Sequence, residues 1–429
     1  MAYSDFILYR NSDEDEYVST AVRIARCSFD NEKMMHEEVN SFMNHVLEIS
    51  EKMGFKGNLW QDYLAYFIVC SENAFSLSCE RKGYMEGGIN RAARQDFNVF
   101  FEIYNTDLKR FDSVNGTCLS ILGNFDNNNE TDKYFNKRIR NRIIDLSESL
   151  AGAQNPDEFM KIVCGFYGDV GVGNLGMFKA FRLAGDESSE IVPVVSVEHI
   201  YLDDLIGYEM QKKKLTDNTE AFLEGKSANN VLLFGDSGTG KSSSIKAVLN
   251  EYYDRGLRMI EVYKHQFRQL SAVINRIKDR NYKFIIYMDD LSFEEFEIEY
   301  KFLKAVIEGG LEKKPDNVLI YATSNRRHLV REKYSDKEER DDDLHSRDTV
   351  QEKLSLSARF GVSIYYGSPD KNEFTRIVKG LAKKNKIDID EQTLLAEANK
   401  WELSHGGMSG RTAQQFINYL TYAYKGKDV

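Results

Sequence analysis

The stretch Gly235-Asp236-Ser237-Gly238-Thr239-Gly240-Lys241-Ser242 decides how the second half of this chain folds. It satisfies the pattern G-x-x-x-x-G-K-[ST] at every fixed position, and its flanks agree with it. Before it, Val231-Leu232-Leu233-Phe234 is a short apolar run of the kind that forms a buried parallel strand. After it, Ile245, Val248, Leu249 and Tyr252 recur at helical spacing, so a helix begins where the loop ends. Strand, loop and helix in this order aim backbone N–H groups and the positive end of a helix dipole at one point, which suits a polyphosphate. The expected phosphate-binding residues are Gly235, Asp236, Ser237, Gly238, Thr239, Gly240, Lys241, Ser242 and Ser243. Lys241 is expected to reach the β- and γ-phosphates and Ser242 to ligate Mg²⁺. The competing reading, a Gly/Ser-rich turn matching by coincidence, leaves both flanks unexplained.

The 429 residues suggest two or three domains, each able to bury a core. A composition of 42% apolar and 29% charged residues is that of a globular chain. The longest apolar runs, such as residues 63–70, are too short to span a bilayer, and no signal peptide opens the sequence. The five cysteines form no C-x-x-C pair, and four sit among apolar neighbours, so reduced buried thiols in the cytoplasm are expected. A formal charge of −11 argues against indiscriminate coating of nucleic acid, though not against one local basic groove.

Residues 1–195 read as mainly helical. Phe42, Val46 and Leu47 begin one apolar stripe; Trp60, Tyr63, Leu64 and Phe67 form a second, and Phe97, Phe100, Phe101 and Tyr104 a third. Such aromatic stripes predict core. Polar breaks at residues 124–131 and 186–189 read as loops, and a domain boundary is expected near residues 193–197. From there strands and helices alternate, as in parallel α/β domains, with further strands expected over 258–262, 284–288, 318–322 and 362–366 and helices over 266–279 and 299–308. From Asp370 onward only helical patterns remain. The expected division is 1–195, 196–368 and 369–429.

Phe284-Ile285-Ile286-Tyr287-Met288-Asp289-Asp290 is an apolar strand ending in acids, 48 residues after Lys241. A carboxylate at the C-terminal end of a strand beside the phosphate loop is where a Mg²⁺-binding acid is needed, a role that falls to Asp289. Asp290 could polarise an attacking water. The strand over 318–322 ends in Thr323-Ser324-Asn325, whose polar tip suits either a water-orienting Asn325 or an ordinary turn with a helix N-cap. Arg359 and Arg411 are candidates to neutralise a transferring phosphoryl group, against the alternative of surface ion pairs.

Together these residues resemble the AAA+ ATPase superfamily over residues 200–425. Gly235–Ser242 resembles Walker A, Phe284–Asp290 Walker B, Asn325 sensor 1, Arg359 the arginine finger before the fifth strand, and Arg411 in Ser409-Gly410-Arg411 sensor 2. Leu202-Asp203-Asp204-Leu205-Ile206-Gly207 is similar to the segment that cradles adenine, which places Ile206 and Gly207 at the base. More narrowly, Asp289–Glu294, Tyr321–Leu329, Glu352–Ser357 and Asn58–Tyr63 look like a bacterial family catalogued as domain of unknown function 815, described as ATP-binding. The resemblance implies a five-stranded parallel sheet of order 5-1-4-3-2 in an αβα domain, with a C-terminal helical lid. ATP and Mg²⁺ would sit at a subunit boundary of an oligomer or ring, Arg411 acting within its own subunit and Arg359 on a neighbour. The mainly helical N-terminal domain would bind an unidentified protein or DNA client, with no membrane involved. One position departs from the superfamily: Asp290 stands where most members carry Glu, and Glu294 or Glu295 are substitutes for it.

Other signals weigh less. Gly171-Val172-Gly173-Asn174-Leu175-Gly176 spells G-x-G-x-x-G, but no clear strand precedes it. Asp126–Glu130 starts like a calcium loop without the later Gly and Glu. Lys133, Lys137, Arg138, Arg140 and Arg142 lie on a basic helix that reads as a solvated face, and residues 335–348 as an exposed charge run. Tyr263-Lys264-His265 lacks the aromatic–apolar–Gly pattern of polypeptide-threading loops. The leading expectation is an ATPase that remodels a partner. A nucleotide-gated scaffold with little hydrolysis and a small-molecule kinase are the alternatives.

Overall fold

A computed structural model describes residues 6–10, 14–126, 136–293, 298–308, 314–326, 329 and 358–425. The chain divides into two compact units, Met1–Phe178 and Lys179–Val429. The boundary expected near residues 193–197 therefore lies inside the second unit, a correction explained by two short strands below.

The first unit is helical: α1 (Asp15–Arg26), α2 (Glu32–Met53), α3 (Leu59–Cys70), α4 (Ala74–Lys82), α5 (Gly88–Tyr104), α6 (Leu108–Asn115), α7 (Lys137–Ala151), α8 (Pro156–Asp169) and α9 (Gly173–Met177). Local chemistry sets the starts. The side chains of Asn31, Asn58, Asn73, Asp107, Asn136 and Asn155 each accept an otherwise orphaned backbone N–H. The aromatic stripes on α2, α3 and α5 converge, Phe42 lying edge-on to Trp60 and Tyr63 with centroids 5.5 Å from each. Full burial of each such ring is worth about 1.5–3 kcal/mol. Asp96 ties the N-terminal segment to this core, accepting the N–H groups of Ile7, Leu8 and Tyr9 at 2.7, 2.7 and 3.1 Å. The G-x-G-x-x-G stretch is a turn and the short α9, entered from helix α8 instead of a strand. The acidic loop after Asp126 and Lys133 lie outside the described residues.

The second unit is built on a seven-stranded sheet. Its strands are β1 (Ala180–Leu183), β2 (Ile191–Pro193), β3 (Val231–Gly235), β4 (Leu257–Glu261), β5 (Lys283–Met288), β6 (Val318–Ser324) and β7 (Val362–Tyr366), in the order β2-β1-β4-β5-β6-β3-β7. All neighbours are parallel except the β1–β2 hairpin. Five strands were expected; the extra two extend the sheet beyond β4, where Ala180 pairs with Met259.

Helices α10 (Glu209–Leu223) and α11 (Lys241–Tyr252) cover one face, their Leu215, Phe222, Ile245 and Val248 meeting Leu233, Ile285, Tyr321 and Ile364. Leu232, Ile260, Ile286 and Ile320 alternate to the other face and are also buried. Two further helices, α12 (Leu270–Ile277) and α13 (Glu299–Glu308), follow β4 and β5. The expected helix over 266–279 is a 3₁₀ segment, Lys264–Gln269, followed by α12. After β7 the chain forms α14 (Lys371–Lys384), α15 (Glu391–Ser404) and α16 (Gly410–Lys425) around Phe374, Ile377, Leu394, Phe416 and Ile417. No helix among the described residues is long and apolar enough to cross a membrane.

Candidate active site

Parallel strands β3, β5 and β6 end at the same edge of the sheet, so the loops that follow them meet. Gly235 closes β3 at φ +131°, and a Cβ there would lie 2.1 Å from the carbonyl oxygen of Tyr366 on β7, so only glycine fits. Gly240 is the N-cap of α11 in a left-handed conformation, φ +91°. Between them Thr239 Oγ1 donates to the Asp236 carbonyl at 2.8 Å, which fixes the curl of the loop.

The side chains expected to act together do meet. Lys241 Nζ donates to the carbonyls of Gly235 (3.0 Å) and Asp236 (2.6 Å) and to Asn325 Oδ1 (2.9 Å). Asn325 in turn donates through Nδ2 to Asp290 Oδ1 at 2.8 Å. Ser242 Oγ donates to Asp289 Oδ1 at 2.7 Å. Thr323 Oγ1, at the buried end of β6, donates to the same Asp289 oxygen at 2.6 Å and accepts the Asp290 N–H at 2.9 Å. Among the described residues, Asp290 is one of four non-glycine residues at positive φ (+49°), a turn that throws its carboxylate back toward Asn325.

Electrostatics follow from this geometry. Burial works to raise the Asp289 carboxyl, but hydrogen bonds led by Thr323 and Ser242 outweigh it and hold the group below the ordinary carboxylate value. Asp289 is thus an anion with one oxygen already shared between two hydroxyls. Burial pulls the Lys241 ammonium below its usual value, against the opposing pull of Asp236, Asp290 and Asp289. Asp236 is held low by the Ser368 N–H and then by its hydroxyl, at 2.7 and 2.8 Å.

Lys241, Ser242, Asp289, Asp290, Thr323 and Asn325 line a cavity of about 880 Å³, whereas the predicted Asp236 is turned to Ser368 and is not part of its lining. Ser237, Gly238, Ser242 and Ser243 form part of its wall, and Leu205, Ile206 and Tyr208 supply an apolar part with Ile377 and Leu381 of α14. Ile206 is wedged against Gly380, whose Cβ would meet Ile206 Cδ1 at 2.4 Å. Gly207 adopts φ +87° beside Arg376 but does not itself line the cavity, nor does Gly235, whose place is structural. Arg411 lines the cavity, and its backbone N–H donates to the Gly238 carbonyl at 3.0 Å. Arg359 is not brought into the site. It precedes β7, whose Val362 pairs with Val231 at the start of β3, so it lies at the end of the ladder opposite the phosphate loop. The five residues of β7 alone interpose about 13 Å at 3.3 Å per residue.

Two oxygens, the Ser242 hydroxyl and the Asp289 carboxylate, are placed as a hard divalent cation requires: one carboxylate and one neutral oxygen, the remaining positions left to phosphate and water. This donor set fits Mg²⁺. Glu294, Glu295, Lys353 and the charge run over 335–348 lie outside the described residues. Sequence reasoning assigned no role to Thr323, Tyr208, Ile377 or Leu381. Thr323 carried a signal, a hydroxyl closing an otherwise apolar strand, while the others become neighbours of the cavity only through folding.

The fold and the site define the class: an α/β protein with a phosphate loop facing an acidic strand tip. The chain belongs to the family described as "Protein of unknown function (DUF815)", which matches residues 176–423, more than half of the chain. No curated protein matches. Among solved structures, a point mutant of Thermotoga maritima RuvB is similar at 17% identity and a TM-score of 0.36, over 51% of this chain and 64% of that one. The Thermotoga maritima RuvB Holliday junction branch migration motor is similar at 14% identity and a TM-score of 0.31, over 51% of this chain and 71% of that one. The FIGL-1 AAA domain in complex with ADP is similar at 19% identity and a TM-score of 0.35, over 52% and 73% of the two chains. This chain thus spans less than two thirds of the first of these.

Proposed function

We propose that this chain is an AAA+ ATPase that binds and hydrolyses Mg-ATP in the cavity beside Lys241. The observation that carries the reading is the continuous set of bonds Ser242–Asp289–Thr323–Asp290–Asn325–Lys241, which gathers a lysine, a cation-binding pair and a water-orienting pair around one point. The phosphates would lie against the amides of Gly238–Ser242, with Lys241 exchanging its carbonyl partners for β- and γ-oxygens. Ser242 and Asp289 would hold Mg²⁺, which supplies charge neutralisation of the phosphates when bound. Asp290 takes the proton of the attacking water while Asn325 orients that water, and Arg411 reaches the terminal phosphate from α16. The apolar wall at Ile206 and Leu381 would take the base. Strand order β7-β3-β6-β5-β4 and the helices α14–α16, read as a lid, support the superfamily reading.

Arg359 precedes β7 at the end of the ladder opposite its own phosphate loop, which supports action on a neighbouring subunit and hence an oligomer or ring. The nucleotide cycle would then alter how the first unit grips a macromolecular client. Specific ATPase activity is expected to rise with protein concentration and to lose that dependence in Arg359→Ala. A specific rate independent of concentration and unchanged by this substitution would remove the trans arginine. The second reading is a nucleotide-gated scaffold, favoured by the short Asp290 carboxylate already engaged by Asn325. ATP surviving intact for hours in a single-turnover experiment would select it.

A further inference from the structure

Outside the nucleotide cavity, a groove of about 490 Å³ runs along one face of α14. Its lining is Ile206, Asn372, Thr375, Arg376, Lys379 and Lys383, with Gly380. Asn372, Arg376, Lys379 and Lys383 follow the spacing i, i+4, i+7, i+11, so the helix sets them in one stripe. At 1.5 Å per residue that stripe is about 16 Å long. The surface is concave because Gly380 presents no side chain and Ile206 closes over it.

Among the described residues, three cations and two neutral hydrogen-bonding side chains line the groove, and no carboxylate does. Lys379 is held by Glu391 at 2.5 Å. Among the described residues no acidic group pairs with Arg376 or Lys383, on a chain whose formal charge is −11. A surface cation without a partner is ordinary; three cations gathered in one groove, only one of them paired with an acid among the described residues, suit an anion.

We propose that this groove binds the phosphate backbone of duplex DNA without reading its sequence. One strand carries a phosphate about every 3.4 Å of helix axis, so a 16 Å stripe spans several of them, where a lone phosphate would engage a single cation. Asn and Thr side chains beside Arg and Lys are the donors that contact backbone phosphates. No aromatic side chain among the described residues lines the groove, so these offer no stacking platform for the bases of a single strand.

The test is fluorescence anisotropy of a fluorescein-labelled 30-base-pair duplex with the full chain at 50–200 mM KCl. It needs no ATP and is independent of whether ATP is hydrolysed. Each phosphate neutralised contributes about 0.9 to the slope of log affinity against log salt. The double variant Arg376→Ala/Lys383→Ala is expected to reduce that slope by about 1.8, equivalent to losing about twelvefold of the affinity change across this salt range. Both side chains are exposed, and an unchanged thermal transition would show the variant folded. Arg138→Ala/Arg142→Ala on α7 serves as the control and should leave the slope intact. No anisotropy rise at 50 mM salt, an unchanged slope in the groove variant, or loss of binding in the α7 variant instead would overturn the proposal. Tighter binding of single strands, or capture of poly-glutamate but not of duplex, would overturn it equally.

Discussion

Thr323→Val replaces one side chain by another of nearly the same shape and removes a single hydroxyl. Thr323 is 2% exposed, and its hydroxyl donates to Asp289 Oδ1 at 2.6 Å and accepts the Asp290 N–H at 2.9 Å. The bond to an ionised carboxylate is worth about 1.5–3 kcal/mol and the peptide bond about 1 kcal/mol, so a loss of about 2–4 kcal/mol in stability is expected. The kinetic effect should be larger than this suggests. Asp290 sits at φ +49°, a conformation that costs a side chain bearing Cβ about 1–2 kcal/mol and that Thr323 holds in place. Once released, the residue relaxes and its carboxylate leaves Asn325. General-base positioning accounts for about 10²–10⁴ in rate, so kcat should fall by about 10² while ATP affinity changes less than about threefold. Thr323→Ser keeps the oxygen and should restore turnover to within about threefold. Steady-state ATPase assays beside thermal melts read both effects. A valine variant that melts earlier yet turns over at the wild-type rate would refute the positioning role, and one that matches wild type in both would refute the bonding scheme itself.

Gly235→Ala should abolish nucleotide binding and lower the melting temperature of the second unit, because its methyl would lie 2.1 Å from the Tyr366 carbonyl; calorimetry showing an unchanged transition would contradict this. Asp290→Asn should bind ATP as wild type does and hydrolyse it at least about 10² more slowly, and normal turnover would exclude Asp290 as the base. Asp62, buried in the first unit against Ser147 and near Glu148, has its carboxyl pushed up to about 6, chiefly by burial. Its folded pKa exceeds the unfolded one, so the stability it confers is fully present below about pH 4 and is lost as pH rises through about 6. Asp62→Asn removes that loss and should gain up to about 3 kcal/mol at pH 8 but nothing at pH 4. Urea titrations at the two pH values would show it, and equal gains at both would contradict the assignment.

The phosphate loop and the strands around it were legible because turn chemistry and apolar runs coincide there. Gly235, Gly240 and Lys241 are read from spacing, and β5 and β6 from uninterrupted burial. Strands β1 and β2 were not legible. They are four and three residues long, and only pairing against β4 makes them strands. The segment over 264–269 shows the limit of periodicity, since one turn of 3₁₀ helix and one of α-helix place apolar residues almost alike. In the site, Asn325 and Asp290 were found by position along their strands. Thr323 passed unassigned because a hydroxyl at a strand end has many uses, and its two hydrogen bonds, to the Asp289 carboxylate and from the Asp290 N–H, form only when β5 and β6 lie side by side. Arg359 was a candidate beside the alternative of a surface ion pair, and only the resemblance gave it the role of an arginine finger.

The link into the C-terminal helices and the start of α16 hold the phosphate loop at two points, Ser368 on Asp236 and the Arg411 amide on Gly238. Asp370 caps α14 at once, so the unwound link to β7 is confined to Gly367, Ser368 and Pro369. A body tethered so close to its pivot would act as a crank, any small adjustment of the loop being lengthened at the far tips of α15 and α16.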